Sequence, residues 1–230
     1  MIYITGDTHG IPGKFFVFEQ LQKHIRQKMT RNDFIIVAGD FGFVMDNDYP
    51  RTIEFLNRFD FTILFVDGNH ENFDLLNAFP VTTWKGGKVH KLSDNVIHLM
   101  RGEVYTIDDL TIFTFGGAES IDRHLRIENE SWWASEVPTR EEFENGLRNL
   151  EKVKNSVDVI ITHTINSRIL THPCSNMPKY NFLPTQTTDM LEYFEHTVKY
   201  KKWFFGHFHY DLPLSENKIA IYNSFIKIAD

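Results

Sequence analysis

The sequence predicts an α/β fold in which two β-sheets pack together with helices outside them. Three observations carry that expectation. Short β-branched or aromatic runs recur and end in polar or glycine-containing turns, helical patterns separate them in the first half, and strand runs joined by short turns follow later.

Residues 2–5, 34–38 and 62–66 read as buried strands, with helices over 15–28 and 50–58 between them, so the first half alternates as a largely parallel sheet requires. Residues 96–99, 104–107 and 110–115 follow one another closely and are expected to form an antiparallel meander. A helix over 139–154 opens on Thr139 with Glu142 three positions on, the pattern of a capping box. Strands are expected at 159–162 and 203–205 on either side of a helix over 188–200, and residues 218–222 and 225–229 read as strands joined by a tight turn. Residues 166–187 carry three prolines and no clear period, and are expected to loop over the site. At 230 residues, a single domain over 1–230 is expected.

Thirty-one acids against 24 Lys and Arg give a net charge of −7, which disfavours non-specific nucleic-acid binding. Hydrophobic content of 42% with 24% charged residues suits a soluble globular chain, and no run of about 18 apolar residues suggests a membrane span. Cys174 is the single cysteine, so no internal disulfide forms and a reducing compartment is expected. Met1 leads straight into Ile2, Tyr3 and Ile4 without a basic segment, so no secretory signal is expected and the expected location is cytoplasmic. Oligomeric state has no signal here.

Ligands of α/β sheets gather beyond the carboxyl ends of strands, where loops converge. The predicted strand ends carry, in order, Gly6-Asp7-Thr8-His9, Gly39-Asp40, Gly68-Asn69-His70-Glu71, Thr162-His163 and Gly206-His207-Phe208-His209. Carboxylate, imidazole and amide donors suit Mn, Fe, Zn or Ni rather than soft thiolate chemistry. A carboxylate can bridge two cations about 3.5–4 Å apart, clamping the attacking and leaving oxygens of an in-line displacement; Asp40 is the candidate bridge. Each of these histidines alone has an ordinary structural reading, as have His24, His90, His98, His172, His196 and Cys174. The five blocks together do not.

The ordered set Asp-x-His, Gly-Asp, Gly-Asn-His-Glu, a lone His and Gly-His-x-His resembles the signature of the calcineurin-like metallophosphoesterases from Asp7 to His209. The resemblance implies a four-layer sandwich of two mixed β-sheets flanked by helices, and a binuclear centre of two divalent metal ions, Mn first with Fe, Zn or Ni as alternatives. It implies that Asp7, His9 and His209 hold one ion, that Asn69, His163 and His207 hold the second, and that Asp40 is shared. His70 is then the histidine near the scissile bond, donating a proton or orienting the phosphate, and an ordinary pKa of about 6.5 suits donation near neutrality. The implied reaction is hydrolysis of a phosphomonoester or phosphodiester, nucleotide-like in one reading, by a water held between the ions.

Family members acting on phosphoproteins carry a further acid and an arginine after Gly-Asp. Here Asp40 is followed by Phe41-Gly42-Phe43-Val44-Met45-Asp46, so a phosphoprotein substrate is disfavoured, and the usual carboxylate partner of His70 is missing unless Asp46 or Glu71 replaces it. A looser similarity to RNA lariat-debranching enzymes rests on Gly-Asp-Phe and Gly-Asn-His-Glu, and a non-catalytic scaffold on the same fold is the competing class.

A separate segment runs from Gly116-Gly117 through Ser120, Asp122, Arg123 and Arg126 to Trp132-Trp133 and Glu136. Arg123 and Arg126 are candidate contacts for substrate phosphate, and Trp132 and Trp133 for a base. The other reading pairs the arginines with Asp122 or Glu128 and places the tryptophans in a core.

Overall fold

The computed structural model describes residues 1–24, 27–171 and 184–230. In chain order the elements are β1 (Ile2–Thr5), α1 (Gly13–His24), β2 (Phe34–Ala38), α2 (Tyr49–Leu56), β3 (Thr62–Val66), α3 (Phe73–Asn77), β4 (Val81–Trp84), β5 (Gly87–Lys91), β6 (Val96–Leu99), β7 (Glu103–Ile107) and β8 (Leu110–Phe115). They continue with α4 (Arg140–Lys152), β9 (Ser156–Thr162), α5 (Ser167–Thr171), α6 (Gln186–Thr197), β10 (Lys199–Phe205), β11 (Leu212–Pro213), β12 (Lys218–Ala220) and β13 (Ile226–Ala229).

One sheet has seven strands in the order β13-β1-β2-β3-β6-β5-β4, and the other six in the order β11-β12-β10-β9-β8-β7. In the first, β1, β2, β3 and β6 run parallel between antiparallel edges. In the second, β12, β10, β9 and β8 run parallel, with β11 and β7 antiparallel outside them. Two mixed sheets flanked by helices are therefore present, as the sequence predicts.

Strand alternation sorts the core into three layers. Ile2, Ile4, Ile36, Leu64 and Val66 meet Ile112, Val159, Ile161 and Phe204 between the sheets. The intervening Tyr3, Ile35, Val37, Ile63 and Phe65 pack under α1 and α2 against Phe15, Phe18, Ile53 and Leu56. On the far side Phe113, Phe115, Ile160, Trp203 and Phe205 pack under α4 and α6 against Leu150, Leu191 and Phe194. Strands covered on both faces need apolar residues at every position, which is why they read as continuous runs; each such side chain contributes about 1.5–3 kcal/mol on full burial.

Helix ends follow local chemistry. Thr139 and Glu142 form the expected capping box of α4, and Thr185 with Thr188 forms one at the start of α6. α1 is described from Gly13 to His24, residues 25 and 26 of its expected span lying outside the described residues, and α6 begins two residues earlier than expected, leaving Tyr200 to β10. Of the expected loop over 166–187, residues 172–183 lie outside the described residues, and with them His172 and Cys174. The remainder opens α5 and α6.

Two strand groupings differ from expectation. The meander does not form: β6 pairs with β3 and β5 in the first sheet, while β7 and β8 form a hairpin in the second. The chain crosses between sheets at Gly102, whose backbone is left-handed (φ 71°) and where a Cβ would lie 2.7 Å from the Glu142 carbonyl oxygen. Nor do the last two strands form a hairpin, since β12 pairs with β10 and β13 with β1. The hairpin of β4 and β5 was not expected. Its signal is Lys85-Gly86, both at positive φ (50° and 98°), as a type I′ turn requires.

His90 and His98 come together across β5 and β6, with their Nδ1 atoms 3.1 Å apart, and His98 Nε2 lies 3.0 Å from Asp67 Oδ1. Arg101 donates to the other Asp67 oxygen at 2.8 Å. Burial, aided by His98, holds His90 down to about 4. Unfolding below the ordinary histidine value of about 6.5 therefore takes up a proton, and stability present above that value is lost as pH falls towards 4. Thermal melts of the metal-free protein are expected to drop over this window, less steeply in His90→Gln; parallel slopes in the two proteins would refute the assignment.

Candidate metal centre

The glycines of the motif blocks are required by side chains arriving from neighbouring strands. A Cβ on Gly39 would lie 2.0 Å from His163 Nδ1, one on Gly68 2.0 Å from Asp40 Oδ1, and one on Gly206 2.1 Å from Asp7 Oδ1. The ends of β1 and β2 are tied where the N–H groups of Thr8 and His9 donate to the Asp40 carbonyl at 3.0 and 2.8 Å. Four of the predicted ligands have left-handed backbones: His9 (φ 47°), Asp40 (45°), His207 (70°) and His209 (54°). For non-glycine residues this costs about 1–2 kcal/mol each. Such strain persists where the surroundings over-determine it, and it clusters at functional sites.

The seven predicted ligand side chains meet. His9 Nε2 and His209 Nε2 lie 2.9 Å apart, and His209 Nε2 is 3.1 Å from Asp7 Oδ2. Beside them, His163 Nε2 lies 3.2 Å from Asp40 Oδ1, 3.0 Å from Asn69 Oδ1 and 3.2 Å from His207 Nδ1. Asp40 faces both groups, because its Oδ2 is 3.8 Å from His9 Nε2. Donor atoms of Asp7, His9 and His209, and of Asp7, Asp40 and His163, lie within 4.8 Å of one another.

These donors fit divalent cations. His163 Nδ1 is 3.0 Å from the Ala38 carbonyl, to which it donates, so its Nε2 turns a lone pair toward two oxygens that also only accept. Converging acceptors require a positive charge between them. Without a metal, a proton supplies it: burial alone would depress His163, but the Asp40 carboxylate raises it to about 10. Asp40, which burial alone would raise, is held far below the usual carboxylate range by His163. His207 goes the other way, pushed down to about 3 by burial and then by His163. Nitrogen and oxygen donors of this kind suit first-row divalent ions.

Further residues hold the predicted ligands in place and were not singled out in the sequence. The Lys14 ammonium donates to the carbonyls of Gly6, Asp7 and Tyr222 and lies 4.1 Å from the Tyr222 ring centroid. That ring stacks on His209 with centroids 4.5 Å apart, and Asp211 accepts from the N–H groups of Tyr222, Asn223 and Ser224. The contact from Lys14 to Tyr222 spans 208 residues and leaves no local pattern. Glu71 is buried and accepts from the N–H groups of Phe41 (2.7 Å) and Gly42 (3.1 Å), and burial followed by Asp40 raises it to about 8. Asp46 accepts from the Asp48 N–H. Among the described residues, no carboxylate hydrogen bonds to the His70 ring; the His70 backbone N–H donates to Asp40 Oδ1 at 2.8 Å.

A cleft of about 400 Å³ opens over this cluster, with His70, Ile121, Asp122 and Tyr210 in its walls. None of the four candidate substrate contacts lines it. Trp133 is buried and donates its indole N–H to Asp74 at 2.8 Å. The Trp132 indole nitrogen is buried near the Glu136 carboxyl. Arg126 forks onto Asp122 with two contacts of 2.8 Å, and Arg123 is exposed. Ile121 and Asp122, just before Arg123, line the wall.

A two-sheet sandwich with Asp, Asn and His side chains gathered beyond its strand ends defines a metal-binding phosphoesterase class. Residues 1–211 match the family model for calcineurin-like phosphoesterase, and the chain belongs to that family. Among solved structures it is similar to one described as a 5′-nucleotidase from Staphylococcus aureus in complex with alpha-ketoglutarate, with 19% identity, a TM-score of 0.51, and coverage of 96% of this chain and 48% of that one. The chain thus spans about half the length of that protein, and the likeness is one of fold. None of the curated proteins matches the chain. Among the described residues, no helix is long and apolar enough to cross a membrane.

Proposed function

We propose that the protein hydrolyses a small, nucleotide-like phosphate ester at a centre of two divalent cations. The convergence of seven N and O donors from five strand ends into two adjoining groups supports this most directly. In this reading Asp7, His9 and His209 hold one ion, Asn69, His163 and His207 hold the other, and Asp40 is shared. Two divalent cations held there would supply Lewis-acid chemistry, neutralising charge on the phosphoryl oxygens and making a water more acidic. His70, in the cleft wall with its ring centroid 5.5 Å from that of His9, donates a proton to the leaving alkoxide. The cleft, about 400 Å³, falls within the range of small-ligand sites, about 300 to 1,000 Å³, while the missing acid and arginine after Asp40 weigh against a phosphoprotein. The net charge of −7 weighs against RNA.

The test uses metal-stripped protein reconstituted with Mn²⁺ and offered bis-p-nitrophenyl phosphate and p-nitrophenyl phosphate. Mn²⁺-dependent release is expected from at least one of them. Release from the diester assigns a phosphodiesterase, and release from the monoester alone a phosphatase. Release from neither, with stoichiometric metal bound, would overturn the enzymatic reading in favour of a scaffold.

A further inference from the structure

We infer that Ser120 and Glu136 are positioning residues that select which face of the Asn69 carboxamide meets the metal centre. The inference rests on the reading of Asn69 as a ligand. An asparagine side chain presents an acceptor oxygen on one side and an NH₂ donor on the other, in nearly the same shape. Only the oxygen can hold a cation, so something must prevent the flipped rotamer.

Asn69 is 5% exposed, and its Nδ2 donates to Ser120 Oγ at 3.1 Å. The Ser120 hydroxyl donates in turn to Glu136 Oε2 at 2.6 Å, and the Ser120 backbone N–H donates to Glu136 Oε1 at 2.8 Å. A serine has one O–H. With it committed to the carboxylate, Ser120 Oγ can only accept from Asn69, which turns the amide NH₂ toward Ser120 and leaves Oδ1 facing His163 Nε2 at 3.0 Å. The polarity of the whole chain is thus set at Glu136, which is fully buried.

The backbone holds this clasp closed. A Cβ on Gly116 would lie 2.5 Å from the Asp67 carbonyl oxygen, and one on Gly117 (φ 89°) 2.6 Å from the Glu136 carbonyl oxygen. Arg101 donates both to the Glu136 carbonyl (3.2 Å) and to the Asp67 carboxylate, two residues before Asn69. The Gly-Gly, Ser and Glu of this segment therefore serve the ligand loop, and the arginines and tryptophans between them need not touch substrate.

The test is a titration with Mn²⁺, free ion being followed by electron paramagnetic resonance, on wild type, Ser120→Ala, Asn69→Asp and the double variant, with thermal melts alongside. Wild type is expected to bind two ions. Ser120→Ala should weaken one of them by about 10–100-fold, the usual effect of losing a group that orients a ligand, and leave the other unchanged. Aspartate has two equivalent oxygens and needs no such selection, so adding Ser120→Ala to Asn69→Asp should change affinity by less than about threefold. If Ser120→Ala fails to fold, Glu136→Gln replaces it: the Gln amide can donate to Ser120 Oγ, which releases the hydroxyl toward Asn69, and the same loss with the same suppression by Asn69→Asp is expected. An unchanged isotherm, or equal loss in the Asn69 and Asp backgrounds, would overturn the inference while leaving a metal-binding, hydrolytic wild type intact. A wild type that binds no Mn²⁺ would overturn the metal reading itself.

Discussion

Asp40→Asn is expected to weaken both cations and to remove Mn²⁺-dependent hydrolysis, the largest effect of any single substitution in this chain. The variant should fold. Asparagine is among the residues that best tolerate the left-handed backbone found here (φ 45°), and its Oδ1 can still accept the His70 N–H. What disappears is the negative charge that faces both donor groups and that drives His163 up to about 10. Loss of an outer group around a metal costs about 10–100-fold in affinity, and loss of a shared ligand should exceed that for both ions. A Mn²⁺ titration beside an assay on bis-p-nitrophenyl phosphate measures it; two ions bound at wild-type affinity would rule out Asp40 as a shared ligand.

His70→Asn should separate binding from turnover. The His70 ring is outside both donor groups, so both ions should remain at wild-type affinity. A positioned general acid contributes about 10²–10⁴-fold, and turnover should fall within that range. The loss should be greatest for an alkyl phosphoester, whose leaving alkoxide needs a proton, and least for a p-nitrophenyl ester, whose leaving group does not. Steady-state kcat on both substrate types decides the matter. Equal losses would make His70 a phosphate-orienting group, and no loss would remove it from the reaction.

Both expectations start from short blocks that the sequence displays openly. The strand runs ending at Thr5, Ala38, Val66, Thr162 and Phe205 are legible because strands covered on both faces must be apolar throughout. The polar residues just beyond them stand out for the same reason. Glycines such as Gly39 and Gly68 mark where a side chain from another strand needs the space of a Cβ. Capping at Thr139 is legible because it involves two residues three positions apart.

Trp133 marks the limit of that approach. Its type suits base contact, yet it is buried and reaches Asp74, 59 residues away, whereas the pairing of Arg126 with Asp122, four residues apart, is one of the two readings the sequence offers. The Ser120 to Glu136 clasp on Asn69 spans 51 residues at its longer step and has no periodic signature. β6 shows the same at the level of fold, lying close in sequence to β7 but in the other sheet. By itself the sequence determined the buried strands of both sheets, the layered class and the order in which the motif blocks arrive, since these depend on apolar runs and on backbone space within a few residues. Only the tertiary structure decided sheet membership, the partner of Trp133 and the contacts of Asn69, because each follows from which long-range contact satisfies a buried polar group or strand edge, a competition that local pattern does not encode.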